Sequence, residues 1–216
     1  FRKALTKSRN LVTIKILQDI GVDYAIDYAA KMGIASKLSR DLSIALGSSG
    51  ISLLELLRAY SVFANQGYLV EPVFVLKVTD RHGNVLEEMA NERKKVIEKS
   101  TAYIMTSLLE GVVKHGTGRR VRALKRPVAG KTGTTNNLFD AWFVGYTPQF
   151  ITGVWVGLDE EAPLGKGETG SRAASPIWLG FMQGVLENEP VKVFQAPEGI
   201  VFAKIDADSG LLPVPE

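Results

Sequence analysis

Apolar residues fall at helical spacing along several stretches of the chain. In "LVTIKILQDIG" they occupy Leu11, Ile14, Leu17 and Ile20, which predicts a helix that Gly21 ends, and Val22 to Met32 predicts a second, shorter one. "SLLELLRAYSVFANQG" carries the clearest signal. Ser52 and Glu55 have capping-box spacing, Leu53, Leu56, Leu57, Tyr60 and Phe63 make a stripe expected to be buried, and Gly67 closes the helix. "STAYIMTSLLEGVVKHG" predicts another, with Ile104, Met105, Leu108, Leu109 and Val112 on its apolar side. Between these two helices "VFVLKVTDRHGNVLEE" reads as a β-hairpin turning at Asp80 to Gly83. From Pro127 onward the pattern changes. "AWFVGYTP" and "ITGVWVGL" are rich in aromatic and β-branched residues, with a turn at Tyr146 to Gln149, and predict two antiparallel strands; Val128 to Thr134 is expected beside them. "ASPIWLGFMQGVLEN" returns to helical spacing, with Pro176 near its first turn. Helices, then strands, then a helix indicate an α+β fold with an antiparallel sheet flanked by helices.

Composition narrows the chemistry. The 216 residues are 45% hydrophobic, enough for one sizeable core, and no apolar run approaches the length of a membrane span. There is no cysteine, so disulfides and thiolate metal sites are excluded. The two histidines, His82 and His115, sit in "RHGN" and "KHGTG" and read as turn and helix-end residues. A histidine metal site or a Ser-His-Asp triad therefore has little to draw on, and no metal or cofactor is expected. Net charge is only +3, yet Lys114 to Pro127 holds six Lys or Arg and no acid. That stretch reads as a solvated loop or a contact for an anionic partner such as an acidic wall polymer or lipid headgroups. Nucleic acid is not expected, because no aromatic residue interrupts the run to stack on a base. The chain opens on "FRKALTKSRN" without methionine and closes on "GLLPVPE", so we expect a piece of a longer protein.

"VAGKTGTTNN" looks at first like the end of a phosphate-binding loop. With Gly130 as the second glycine of that motif, the first must stand at position 125, which is Lys125. Pro127 has no N–H to offer a phosphate, and "TTNN" does not open a helix. Another reading fits better. Ser8-Arg9-Asn10 is placed at the mouth of a helix and Lys131-Thr132-Gly133-Thr134 on a strand. Each is weak alone, since Ser and Asn are common helix caps. Together, in this order and fold class, they resemble the second and third signatures of the serine acyltransferases that react with penicillin. "LTKSRNLVTIKILQDIGVDYAIDYAAKMGI", "LSIALGSSGISLLELLRAYSVFANQGYLVEP", "AGKTGTTNNLFDAWFVGYTPQFITGVWVGLDE" and "GSRAASPIW" are similar to class A penicillin-binding proteins, the bifunctional enzymes that polymerise and cross-link peptidoglycan. The similarity runs from about Phe1 to Trp178 and is most specific around Asp140-Ala141-Trp142-Phe143.

The resemblance implies a serine β-lactamase/penicillin-binding transpeptidase fold. Residues 1–189 would be the C-terminal portion of the transpeptidase domain, with 190–216 an extension packed on it or beyond it. Lys131 would supply positive potential and hydrogen-bond Ser8. Thr132 and Thr134 would receive the substrate carboxylate, and the Thr134 N–H would serve as an oxyanion donor. Gly133 would let the substrate lie against the strand as an added strand. Asn10 would offer its amide to a peptide carbonyl, and Ser8 would pass a proton to the leaving amine. The implied partners are the D-Ala-D-Ala stem peptide of peptidoglycan and β-lactams. One departure stands out: no serine in the sequence has lysine three places on, so the Ser-x-x-Lys nucleophile motif is absent. In the family it lies N-terminal to Ser-x-Asn and would fall before Phe1. We therefore expect this chain to lack the nucleophile helix and the first strands of the sheet and to need that upstream segment for activity. A glycosyltransferase domain and a membrane anchor would lie further upstream, on the periplasmic face of the cytoplasmic membrane.

Overall fold

A computed structural model describes residues 1–90, 92–206 and 209–212. Three helices open it: α1 (Arg2–Thr6), α2 (Asn10–Ile20) and α3 (Val22–Lys31). A 3₁₀ turn at Leu42–Leu46 leads to α4 (Leu53–Ala64). Four short strands follow, β1 (Tyr68–Val70), β2 (Lys77–Thr79), β3 (Val85–Glu88) and β4 (Arg93–Lys95); β1 pairs with β4 and β2 with β3, both antiparallel. Then come α5 (Lys99–His115), a 3₁₀ turn at Arg119–Leu124, and β5 (Ala129–Thr134), β6 (Ala141–Tyr146) and β7 (Ile151–Val156). A wide turn at Gly170–Ala174 runs into α6 (Ser175–Val185).

The sheet β5–β6–β7 organises the molecule. All its pairs are antiparallel, with Lys131 opposite Val144 and Gly133 opposite Trp142. Facing residues share one side of a sheet, so its two sides carry different cores. On one side Phe143 and Trp178 meet edge to face, 5.2 Å apart, among Val121, Leu124, Ala174 and Met182. On the other, Ala129, Tyr146 and Leu109 pack with Leu5, Tyr60, Met105 and Phe194. The Tyr146 hydroxyl is hydrogen-bonded to Thr106 Oγ1 at 2.9 Å, which satisfies both buried hydroxyls. Among the described residues no strand pairs with the outer edge of β5.

Local signals explain most elements. The Ser52–Glu55 capping box forms, and the Glu55 carboxylate also accepts from Ala35 N, Ser36 N and Ser36 Oγ, so one side chain ties the loop after α3 to the start of α4. The Ser52 N–H first, and then the Ser36 and Ala35 donors, hold its carboxyl down at about 2. The β2–β3 hairpin turns where expected, with Asp80 Oδ1 accepting from His82 N and Asn84 N. Three expectations need correction. In α2 only Leu17 is buried, while Leu11 and Ile20 are exposed. In α5 Ile104 is exposed, and Ala102, Thr106 and Val113 are buried instead. In α4 the anticipated stripe is half-buried, and the fully covered residue is Val62. In each case the helix is gripped from a direction that its own periodicity does not reveal, because neighbours decide burial.

Candidate active site

The site forms where the α1–α2 junction meets β5. α1 is short, and its position depends on α5. Arg2 Nη1 donates to Ser107 O at 3.0 Å, Lys7 Nζ donates to His115 O at 3.2 Å, and Thr117 N donates to Thr6 O at 3.4 Å. Leu5 adds an apolar foot beside Tyr146. α1 then ends in a left-handed residue, the usual way to close a helix, with Arg9 N donating back to Ala4 O. That residue is Ser8, at φ 53°, where glycine or asparagine would be easier. Arg9 then precedes α2 as its extended N-cap, without a side-chain cap. Neither Ser8 nor Asn10 caps the helix, so both side chains are left free for other partners. The Asn10 side chain is exposed and makes no hydrogen bond among the described residues.

β5 brings the second motif. Lys131 Nζ donates to Ser8 Oγ at 2.9 Å and to Thr132 O at 2.8 Å. Two motifs 123 residues apart thus meet through one hydrogen bond. Burial pulls the Lys131 ammonium down from 10.5 to about 8, because its surroundings solvate the charge less well than water does. Thr132 and Thr134 point to the opposite side of the strand. Thr132 Oγ1 is hydrogen-bonded to Thr117 Oγ1 at 2.7 Å, and Thr134 Oγ1 accepts from Gly170 N at 3.0 Å. Each hydroxyl keeps further hydrogen-bonding capacity for a ligand. Gly170 has to be glycine here: a Cβ would run into the carbonyl oxygens of Trp142 and Gly133.

The far end of β5 is fastened through its turn. Thr135 Oγ1 accepts from both Phe139 N and Asp140 N at 2.9 Å, and Asp140 Oδ1 accepts from Trp155 Nε1 at 2.8 Å. Trp142 lies beside Trp155, ring centroids 6.2 Å apart. The structure thus brings Ser8 and Lys131 into contact and sets Thr132, Gly133 and Thr134 along the open edge. Thr117, Gly170 and Asp140 were not anticipated as site-shaping residues. The sequence offered "KHGTG" and "GSRAAS" as phrases, but nothing in them points across the fold. Two cavities lie elsewhere, one at the β2–β3 hairpin and one of about 450 Å³ between α4, α5 and residues 191–197. The site is an open strand edge.

The penicillin binding protein transpeptidase domain family matches residues 1–182. Penicillin-binding protein 1A of Pseudomonas aeruginosa is 37% identical over 266 aligned positions, covering 99% of this chain and 32% of that protein. Penicillin-binding protein 1A of Aquifex aeolicus is 42% identical over 205, covering 95% and 28%. Among solved structures, penicillin-binding protein 1A from Haemophilus influenzae superposes with a TM-score of 0.92 at 28% identity, over 98% of this chain and 38% of that one. PonA1 from Mycobacterium tuberculosis in complex with penicillin V gives 0.80 at 28% identity, over 100% and 62%. The chain spans about a third of the length of these curated relatives.

Proposed function

The chain belongs to the penicillin-binding protein transpeptidase domain family, and on that premise we propose that it supplies the substrate-binding edge and proton relay of a serine-type D-Ala-D-Ala transpeptidase that cross-links peptidoglycan. The observation that carries this reading is the 2.9 Å hydrogen bond from Lys131 Nζ to Ser8 Oγ. Lysine beside a serine hydroxyl is what acyl transfer to an amine requires: a group that gives up a proton and another that replaces it.

In this reading the donor peptide lies along the outer edge of β5 as an added strand. The terminal carboxylate sits against the hydroxyls of Thr132 and Thr134 in the positive field of Lys131. The carbonyl under attack turns its oxygen to the Thr134 N–H, where charge develops. Asn10 donates its side-chain amide to a peptide carbonyl further along the ligand. A serine from a Ser-x-x-Lys segment, absent from this sequence, gives its proton to the lysine of that segment as it attacks, and forms the ester. Ser8 protonates the leaving D-alanine amine and is reprotonated by Lys131. The second half runs in reverse, with an incoming amine releasing the acyl group from the serine. The domain of PonA1 is known with penicillin V, and a β-lactam would acylate the same serine here. The parent protein would also carry the glycosyltransferase and a membrane anchor, and the site would face the periplasm. No helix of the described residues is long and apolar enough to cross a membrane.

The test uses the longer protein that carries the nucleophile motif. Lys131→Ala should slow acylation by a fluorescent penicillin by ~10²–10³, the typical worth of one placed charge or oxyanion donor, while leaving the fold intact, as circular dichroism and a cooperative unfolding transition would show. A folded variant that acylates at the normal rate would overturn the reading. This chain alone should show no labelled band on a denaturing gel.

A further inference from the structure

Charge is distributed unevenly around the β5 edge. The chain has 26 Lys and Arg against 23 Asp and Glu. Six of the 26 lie in residues 114–127, so the remaining 20 face 23 acids, and the rest of the chain is net negative. The structure puts that basic stretch beside the site. Val121 and Leu124 are buried and pin the 3₁₀ turn, which leaves Arg119, Arg120 and Arg122 exposed. Thr117, two residues before Arg119, is the residue bonded to Thr132.

The same arrangement recurs in two other segments. Arg9 directly follows Ser8, and Arg172 lies two residues beyond Gly170, whose N–H reaches Thr134. Both arginines are exposed. Three segments far apart in sequence therefore each bring an arginine within two residues of a group bonded to Lys131, Thr132 or Thr134. Consecutive Cα atoms are ~3.8 Å apart, so the Cα of each arginine lies within about 8 Å of the Cα of a residue that bonds the edge, comparable to the screening length of about 8 Å at physiological salt. Among the described residues none of the three is ion-paired. Of the neighbouring acids, Glu110 is paired with Lys114, Asp140 accepts from Trp155, Glu168 lies four residues before Arg172, and Asp159, Glu160 and Glu161 lie in the loop that leaves β7. Unpaired surface arginines rooted in segments around an anion-binding strand build a local positive field on a molecule whose net charge is only +3.

We propose that Arg9, Arg119 and Arg172 form a positive rim that draws carboxylate-bearing ligands onto the open edge of β5, selecting anionic peptides over neutral ones. This rests on the transpeptidase reading and extends it, from the groups that touch the carboxylate to those that gather it. The rim acts on encounter and binding. It does not take part in proton transfer.

The experiment measures acylation of the longer protein by a fluorescent penicillin, which carries a carboxylate, between 0.01 and 0.15 M salt. A charge about 10 Å from the ligand carboxylate is largely screened at the upper limit and little screened at the lower. Arg9→Gln, Arg119→Gln and Arg172→Gln together should lower the second-order rate about twofold at 0.15 M and about fourfold at 0.01 M, flattening the salt dependence. The rate at saturating penicillin should not change. Replacing the same three by lysine should restore both rate and salt slope, since charge and not shape is the active property. A glutamine variant that matches the wild type at every salt concentration overturns the inference. So does one that is slow at saturation and equally slow at all salts, because that marks a structural role. Lys131→Ala is run alongside: its slow acylation beside an unaffected glutamine variant would sink the rim and leave the transpeptidase reading standing.

Discussion

Lys131 and Ser8 meet at 2.9 Å, but they arrive on opposite kinds of support. Lys131 stands on a strand paired along its whole length with β6 and held between two apolar cores. Ser8 stands at a surface junction between two helices, one of only five residues, fixed by a few hydrogen bonds to α5 and by its own left-handed backbone. The strand half owes its geometry to packing, which is cooperative and resists local change. The junction half owes it to individual polar contacts and a conformation that costs energy. The contrast separates the residues that hold the fold from those that tune the chemistry.

The largest effect should come from breaking the strand half. Trp178 is fully buried against Phe143, and its Nε1–H donates to Thr152 O at 3.0 Å. Trp178→Ala should cost about 3–5 kcal/mol, a large part of a typical margin of roughly 5–15 kcal/mol. Urea unfolding would measure it. A comparable loss from Leu11→Ala, on the exposed side of α2, would contradict the division, since that substitution should stay within about 0.5 kcal/mol.

The strand half was the more legible in sequence, for the same physical reason. Alternation and aromatic content in "AWFVGYTP" and "ITGVWVGL" mark strands because a sheet's burial pattern is written in its own residues. The elements β5, β6 and β7, the capping box at Ser52 and the hairpin turn at Asp80 could all be read that way. The pairing of Tyr68–Val70 with Arg93–Lys95 could not, because three-residue strands carry no pattern. The basic stretch read as a loop, although Val121 and Leu124, three apart, were the trace of the buried turn that forms there. Ser8 and Asn10 looked like capping chemistry, and neither caps α2. The aromatic residues on and against the β5–β6–β7 sheet divide in burial: Phe143 and Trp178 are fully enclosed, whereas Trp155 is 43% exposed. The roles of Thr117 and Gly170 depend on contacts across the fold, and nothing local announces them.

A second way to sharpen the comparison is pH. Burial in the strand half holds Lys131 at about 8, below its ordinary 10.5. Below about 8 the ammonium is present. As pH rises through that value the folded protein loses the charge, whereas the unfolded chain keeps it up to the ordinary value. Acylation in the longer protein should therefore fall as pH rises above 8, by roughly tenfold at about pH 9 as the charged fraction declines. Stability should move the other way and rise between about pH 8 and 10.5, because the unfolded state binds the extra proton in that window. In Lys131→Arg the activity should be lower and its alkaline limb absent, since arginine stays charged. An unshifted limb in that variant would move the titration to another group.

The smallest effect is the most specific to the junction half. Ser8 sits at φ 53°, where an L-residue other than glycine pays roughly 1–2 kcal/mol in backbone strain. Glycine would remove that strain but add about 0.4–1 kcal/mol of freedom to the unfolded chain. Alanine would keep the strain, and either replacement removes the hydroxyl that accepts from Lys131. Ser8→Gly should therefore be more stable than Ser8→Ala by about 0.5–1 kcal/mol, while both slow acylation in the longer protein to a similar degree. Paired thermal unfolding and fluorescent-penicillin kinetics make the comparison. If the glycine variant unfolds no later than the alanine variant, the left-handed turn is relaxed in solution and the junction is not under strain. If it unfolds later but acylates normally, the strain is real and the Ser8 hydroxyl has no part in the proton relay. The expected pair, a more stable protein with a poorer site, would show that the serine is kept at this turn for its oxygen and against the preference of its backbone.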